Sequence, residues 1–360
     1  MMKNREDRLW DTKFIKTIQK LVPGTPLREG LENILRAKMG VLVLVGNEES
    51  LMEIRDGGFS LNCEYTPAGF YELGKMDGAL IISADAKHIL YANAQLVPDS
   101  NIITTETGTR HRTAERVAKQ TGGLVIAISQ RRNLITMYLG NLRYTLKDIT
   151  VILSKTNQAL QTLEKYKKVL QRSLINLSAL EFDDLVTLVD VVEIIIRVEQ
   201  VSRITREIEL NVIELGSEGR LVNMQLEELM SEYDEMELLI KDYCTNSDPQ
   251  IHEQVRAQLR ALPEESLEPI IICHILGYGT TQNILDIPVI PRGYRILGKI
   301  PRLPMMIVEK LVTFFKTIHP IYNAQVADLS HVDGIGEVRA KIIRDGLKRV
   351  REQVLLDRNQ

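Results

Sequence analysis

The spacing of apolar positions changes character along this chain. Up to residue 146, short apolar runs alternate with helical patterns. REDRLWDTKFIKTIQKLV puts Leu9, Phe14, Ile18 and Leu21 on roughly one helical face, and Pro23-Gly24 ends it. PLREGLENILRAK predicts a second helix with Pro26 near its start, where a missing N–H is no loss. VLVLVG (41–46) is a continuous apolar run, which fits a buried strand. GALIIS (78–83) and HILYANAQL (88–96) flank the hairpin-sized gap ADAK, and GLVIAIS (123–129) and LITMYLG (134–140) flank QRRN. Between these pairs, TRHRTAERVAKQTG predicts a short helix with Ala114, Val117 and Ala118 inward, closed by Gly122. Strands and helices interleave, yet hairpins are present. That combination predicts an α/β domain over 1–146 with a mixed sheet flanked by helices, rather than a purely parallel doubly wound sheet.

From Lys147 the period becomes helical. Ile149, Leu153, Leu160, Leu163, Leu170 and Leu174 keep that spacing without a Gly or Pro between them, and the pattern continues past Gly216 and Gly219 to Tyr243. An all-α spine over 147–262 follows, with NSDPQ (246–250) and LPEESLEP (262–269) as connectors. The remainder, 263–360, holds an internal repeat at a period of 32: LGKIPRLPMMIVEKLV (297–312) overlays LSHVDGIGEVRAKIIR (329–344). Leu297 matches Leu329, Ile300 matches Val332 and Leu303 matches Ile335, while Arg302 and Pro304 stand where the second copy has Gly334 and Gly336. Two copies of helix, tight turn and helix make a compact four-helix unit that neither copy forms alone.

Charge alters this picture by its distribution. The net charge of -3 gives no bulk attraction to nucleic acid or membrane, but Glu181 to Asp242 carries 17 acidic and 5 basic residues, and Arg292 to Gln360 carries 13 basic and 7 acidic. A basic tail suits a phosphate-backbone partner. Cys63, Cys244 and Cys273 are isolated, which predicts a reducing compartment and no structural zinc. The first residues, MMKNREDRLWD, show no apolar signal core, and no apolar run approaches membrane-spanning length. A cytosolic protein is the expectation.

Three motifs carry chemistry. In DGIGEVRAKII (333–343), a Gly-x-Gly turn opening a helix offers backbone N–H donors and a helix N-terminus to one phosphate, with Lys341, Arg344, Lys348 and Arg349 able to reach its neighbours. Contacts of that kind position a backbone without reading bases; a turn used only for packing fits the same residues. In GKMDGALIIS (74–83), Asp77 stands before Gly78 and Ala79 at a strand start, either as a plain turn or as a carboxylate beside room for a ligand. In GTRHRTA (108–114), Arg110, His111 and Arg112 stand at a helix entrance with Thr109 and Thr113, either as a solvated cap or as a grip on phosphate oxygens. No GxxxxGK[ST], HExxH or nucleophile elbow occurs.

DGA followed by RHR about 30 residues later, inside a mixed α/β domain, resembles the diadenylate cyclase domain family. The hairpin motif and its period-32 tandem resemble helix-hairpin-helix DNA-binding units. With the helical spine between them, the whole chain resembles the bacterial DNA integrity scanning family. That resemblance implies condensation of two ATP into cyclic di-AMP with release of pyrophosphate, at two domains meeting face to face. It implies a homo-oligomer, an octamer of two stacked rings, in the cytoplasm and on the nucleoid. It implies Asp77 as holder of Mg²⁺ or Mn²⁺, or as the acid beside the 3′-hydroxyl. Arg110, His111 and Arg112 become catalytic residues on the triphosphate, with Gly78, Ala79, Leu96, Thr109, Thr113 and Ser129 completing the ATP site. DNA would meet Gly334, Ile335, Gly336, Lys341, Arg344 and Lys348 without regard to sequence, at branched junctions, and tune the cyclase. A DNA-binding scaffold whose first domain only senses ATP fits the same motifs.

Overall fold

The computed structural model describes residues 12–46, 54–230, 235–280 and 282–358. Leu9 and the rest of the first expected helix before Thr12 lie outside them, as does 231–234 of the spine. The described chain forms two compact units, residues 1–158 with 208–225, and 159–207 with 226–360.

The first unit opens with α1 (Thr12–Ile18) and α2 (Pro26–Arg36). Thr25 caps α2 by accepting from the Arg28 N–H, and Pro26 takes the first helical position, as the sequence predicts. The strands are β1 (Leu42–Val45), β2 (Arg55–Asp56), β3 (Phe59–Glu64), β4 (Ala79–Ile82), β5 (His88–Leu96), β6 (Leu124–Ser129), β7 (Leu134–Leu139) and β8 (Leu142–Thr145). Helix α3 (Pro67–Leu73) precedes β4, and α4 (Thr109–Thr121) lies between β5 and β6. The strand order is β2-β5-β4-β1-β6-β7-β8, with β3 also paired to β5. Strand β1 pairs with β4 in parallel and with β6 antiparallel. The sheet is therefore mixed, as expected.

The continuous apolar runs are explained by cover on both faces. Val43, Val45, Leu80, Ile82, Ile126 and Ile128 pack with Phe14, Leu31, Ile34 and Phe70 from α1, α2 and α3. Their neighbours Leu42, Leu44, Ala79, Ile81, Val125 and Ala127 pack with Ala114, Val117 and Ala118 of α4. All three inward α4 residues are those the spacing named.

Two long helices follow, α5 (Ile149–Asp183) and α6 (Leu188–Leu215), then a 3₁₀ turn over Gly216–Gly219 where the helical pattern is interrupted. The start of α5 and the end of α6 belong to the first unit, so the compact boundary does not fall at residue 146. The reason is local packing: Tyr144 Oη donates to Glu214 Oε1 at 2.8 Å, and the Ser217 N–H donates to the Pro23 carbonyl at 3.1 Å.

The second unit holds the rest of α5 and α6 with helices α7 (Arg220–Met230, in part), α8 (Glu235–Tyr243), α9 (Pro249–Ala261) and α10 (Pro269–Ile275). Pro249, read as part of a connector, is the first residue of α9, with Asp248 capping it. The repeat gives α11 (Tyr294–Gly298) with α12 (Met305–Phe315), then α13 (Ile318–Asn323), and α14 (Val326–Leu329) with α15 (Glu337–Arg358). Ile300, Val308 and Leu311 and their period-32 equivalents Val332, Ala340 and Ile343 share one core. Beneath α11 lies a buried polar cluster. The Asp242 carboxylate accepts from the N–H groups of Gly293, Tyr294 and Arg295, and Glu181 takes hydrogen bonds from Tyr243 Oη and Arg295 Nη2. No helix among the described residues is long and apolar enough to cross a membrane.

Candidate functional site

Strand register brings the motifs around Asp77 and Arg110 to one edge of the sheet. Leu42 pairs with Ala79 in parallel and with Ala127 antiparallel, so β1 and β4 begin where β6 ends. Ala79 also pairs with Ala94, which puts the end of β5 at that edge. Gly40, Asp77, Gly78, Leu96 and Ser129 thus share one rim. Ala79 and Leu96 are buried in the layer beneath α4, at 1% and 8% exposure, and Ser129 follows Ala127 by two residues on that face.

Gly78 has a backbone role of its own. Its φ is +89, and a Cβ there would fall 2.9 Å from the Ala94 carbonyl oxygen and 2.9 Å from the Asn93 carbonyl carbon. The glycine therefore lets β4 start hard against β5. Asp77, immediately before it, is exposed.

The cationic motif forms the first turn of α4. Gly108 is the N-cap and supplies no side-chain cap, so neither Thr109 nor Thr113 caps the helix. The first turn has no acidic residue, which leaves the positive end of the helix dipole open to an anion. Thr109 and Arg112 are exposed, and Thr113 is half-buried. Arg110 is exposed but seated: a Cβ on Gly40 would lie 2.3 Å from Arg110 Nη1 and 3.3 Å from the Ile128 carbonyl oxygen. Gly40 thereby gives the guanidinium its place on the rim, between the start of β1 and the end of β6. Ser129 Oγ accepts from the Arg132 N–H at 3.2 Å, so it closes its own hairpin while standing at the edge. Arg131 and Arg132 are exposed in that turn.

His111 is held differently from its neighbours. Its Nδ1 lies 2.9 Å from Tyr138 Oη on β7, and Tyr138 Oη donates to Glu106 Oε1 at 2.9 Å. Arg143 Nε of β8 meets the same Glu106 oxygen at 2.5 Å. Burial pushes His111 below the usual histidine range; Glu106 opposes this, while Arg143, Arg132 and Arg110 reinforce it. The uncharged imidazole is thereby favoured, and the cationic work of the motif falls on Arg110 and Arg112. Burial and Glu106 push the Tyr138 hydroxyl far up, so it stays protonated. The segment carrying Glu106 is strapped along α4: Thr104 Oγ1 and the Thr105 N–H both donate to Glu115, Arg116 Nε donates to the Ile102 carbonyl, and Lys119 Nζ to the Ile103 carbonyl. Gly40, Glu106, Tyr138 and Arg143 are absent from the sequence-based site. The available signal was Tyr138 itself, a phenol in an apolar strand, whose hydroxyl must find a partner when buried.

Among the described residues no group of three or more His, Cys, Asp or Glu side chains is gathered to hold a metal. One exposed carboxylate, Asp77, suits a hard cation such as Mg²⁺ or Mn²⁺ that takes its other ligands from phosphates and water. It does not suit an ion caged by protein alone.

In the second unit, Gly334 has φ +82 and Gly336 faces open space where a Cβ would stand. Ile335 is buried, and its N–H closes the turn on the Val332 carbonyl at 3.0 Å. The first copy makes the same turn: the Leu303 N–H reaches the Ile300 carbonyl at 3.3 Å, and Arg302 has φ +62 where Gly334 stands. Lys341 and Lys348 are exposed seven residues apart on α15, hence on one face, and Arg344, half-buried, lies between them. Glu337 sits in the first turn of α15 and offsets part of its dipole, so the basic side chains further along are the stronger attraction for an anion. Asp333 is occupied by Lys310 Nζ at 2.6 Å.

Residues 28–142 match the family described as DisA bacterial checkpoint controller nucleotide-binding, and residues 146–285 match the DisA bacterial checkpoint controller linker region. The chain is 54% identical over 345 residues to the DNA integrity scanning protein DisA of Carboxydothermus hydrogenoformans, covering 95% of this chain and 98% of that one. It is 52% identical to the protein of the same name from Clostridium botulinum strain Eklund 17B, over 96% of this chain and 98% of the other. The one from Acetivibrio thermocellus is 51% identical over 98% of each.

Proposed function

The chain belongs to the DisA family of DNA integrity scanning proteins, and from that premise we propose that its first unit is a diadenylate cyclase that converts two ATP into cyclic di-AMP and two pyrophosphates. In each of two steps a ribose 3′-oxygen bonds to an α-phosphorus, the bond from that phosphorus to the pyrophosphate oxygen breaks, and the hydroxyl proton leaves. A domain holding one ATP cannot supply both reactants, so two domains face each other in a homo-oligomer, an octamer by family resemblance. Catalysis is then chiefly alignment and neutralisation of charge.

The observation that carries this reading is the rim where the Arg110 guanidinium, seated at Gly40, stands beside the uncapped first turn of α4. Arg110, Arg112 and the N–H groups of that turn would take the triphosphate, with Thr109, Thr113 and Ser129 adding hydrogen bonds. Leu96 and Ala79 would floor the pocket. Asp77 would hold Mg²⁺ or Mn²⁺, which when bound supplies further neutralisation of phosphate charge. The second unit would bind DNA, branched or damaged, through Gly334, Ile335, Gly336, Lys341, Arg344 and Lys348, independently of sequence, and so tune the cyclase in the cytoplasm on the nucleoid.

The test is incubation of the protein with ATP and Mg²⁺ or Mn²⁺, with and without junction DNA, and separation of the products. Cyclic di-AMP from the wild type and none from Asp77→Asn, with the oligomer intact, is the expected result. ATP bound but never turned over would leave only nucleotide sensing, and one rate with and without DNA would remove the tuning.

A further inference from the structure

The described chain Arg143–Glu106–Tyr138–His111 decides which nitrogen of His111 carries the proton. A carboxylate only accepts hydrogen bonds, so Glu106 Oε1, 2.9 Å from Tyr138 Oη and 2.5 Å from Arg143 Nε, takes the phenolic hydrogen. Tyr138 has no second hydrogen. Its oxygen, 2.9 Å from His111 Nδ1, must therefore accept from that nitrogen. An uncharged His111 then carries its proton on Nδ1 and a lone pair on Nε2. The Nε2 edge lies at the helix entrance: Cδ2, the ring carbon bonded to Nε2, is 3.9 Å from where a Gly108 Cβ would stand.

A lone pair there cannot donate to a phosphate oxygen, which also only accepts. Whatever meets Nε2 must bring a hydrogen. On ATP only the ribose hydroxyls and the adenine amine do so, and the group that has to arrive beside the triphosphate is the attacking hydroxyl of the second nucleotide.

Building on the cyclase reading, we propose that Glu106 and Tyr138 are positioning residues for cyclisation: they fix His111 as the Nδ1–H form, so that its Nε2 accepts the proton-bearing edge of the incoming 3′-hydroxyl. Arg143 holds Glu106 in turn. His111 is thereby given a role different from that of the flanking arginines, which face phosphate. The charged and titratable groups around the imidazole are Tyr138 on β7, Glu106 on the preceding segment, Arg143 on β8, Arg132 in the β6–β7 turn and Arg110 on its own helix. The strap from Thr104 and Thr105 to Glu115 explains why an acid on an irregular segment can be held accurately enough for this task.

The experiment uses the full-length protein with two substitutions, Tyr138→Phe and Glu106→Gln. Two quantities are read for each: steady-state kcat and KM for cyclic di-AMP formation, and the titration of His111 followed by exchange of its C2 hydrogen in mass spectrometry. Losing the hydrogen bond that orients His111 should lower kcat by about 10- to 100-fold. KM for ATP should stay within about threefold, because phosphate binding is left to the arginines. The His111 midpoint should fall in both variants. Tyr138→Phe leaves the imidazolium without its acceptor, and Glu106→Gln removes the negative charge that favours it. A midpoint that does not move in either variant overturns the hydrogen-bond chain. A midpoint that falls with kcat unchanged overturns the positioning role. A wild type that binds ATP without turnover removes the cyclase reading, and with it the role, and the two failures are told apart because the titration is read without activity.

Discussion

Gly40→Ala separates what the rim does for binding from what it does for folding. Gly40 is outside the left-handed region, so alanine is allowed by its backbone, and such a change stabilises a protein by about 0.4–1 kcal/mol by narrowing the unfolded ensemble. The new methyl would sit 2.3 Å from Arg110 Nη1, a distance no real contact tolerates, and a tight 3.0 Å from its Cζ. The tip of a flexible side chain moves more readily than backbone, so the guanidinium leaves its seat. A charge-assisted hydrogen bond from arginine to phosphate contributes about 1.5–3 kcal/mol. Its loss should reduce kcat/KM for ATP by about 10- to 150-fold, at about 1.4 kcal/mol per tenfold. The Cβ would also stand 3.3 Å from the Ile128 carbonyl oxygen, which offsets the gain from the unfolded state, so the melting temperature should change little. In an Arg110→Ala background the same substitution should change kcat/KM by less than about threefold, because the two act through one group. Kinetics of cyclic di-AMP formation and a thermal melt on the four proteins decide it. A Gly40→Ala enzyme within about threefold of wild type refutes the seating of Arg110 by Gly40.

Gly78→Ala should destabilise the first unit by about 2–4 kcal/mol, from a left-handed backbone and a Cβ driven against β5, read as an earlier denaturant transition; an unchanged midpoint would leave the glycine to the ligand alone. Glu181→Gln strips the carboxylate from the buried Arg295 guanidinium and should cost the second unit about 3–5 kcal/mol in the same measurement. Gly334→Val should strain the second hairpin turn and weaken binding to junction DNA at least about tenfold by electrophoretic shift, with helical circular dichroism retained, since the penalty of about 1–2 kcal/mol is confined to one residue. Equal affinity would move the DNA contact elsewhere.

The sequence pattern located every strand that is covered on both sides, because burial on two faces forces an unbroken apolar run. It passed over β3, whose six residues are all exposed and so carry no alternation, and the short edge strand β8. Helix α9 falls inside the expected all-α spine, but its start was obscured by reading Pro249 as a connector when it serves as a helix start. In the site, the residues that bear obvious charge were legible from DGA and RHR. Their supports were not. Gly40 matters through an absence of side chain opposite an arginine 70 positions later, and Glu106 through a hydrogen bond to a tyrosine on another strand. Both are products of strand order, which spacing along one segment does not encode.

The two hairpins of the repeat agree in a property that no alignment column displays. Arg302 and Gly334 both turn left-handed at equivalent positions, one at φ +62 and the other at +82. Side-chain identity there differs widely, the smallest residue in one copy and one of the largest in the other, while the chain turns the same way. Handedness, then, is what the two copies share, and glycine is only the residue that adopts it most readily. A search for degenerate hairpins in other chains would do better to ask which residue has positive φ after a buried aliphatic at the i–2 position, as Ile300 and Val332 are here, than to count glycines.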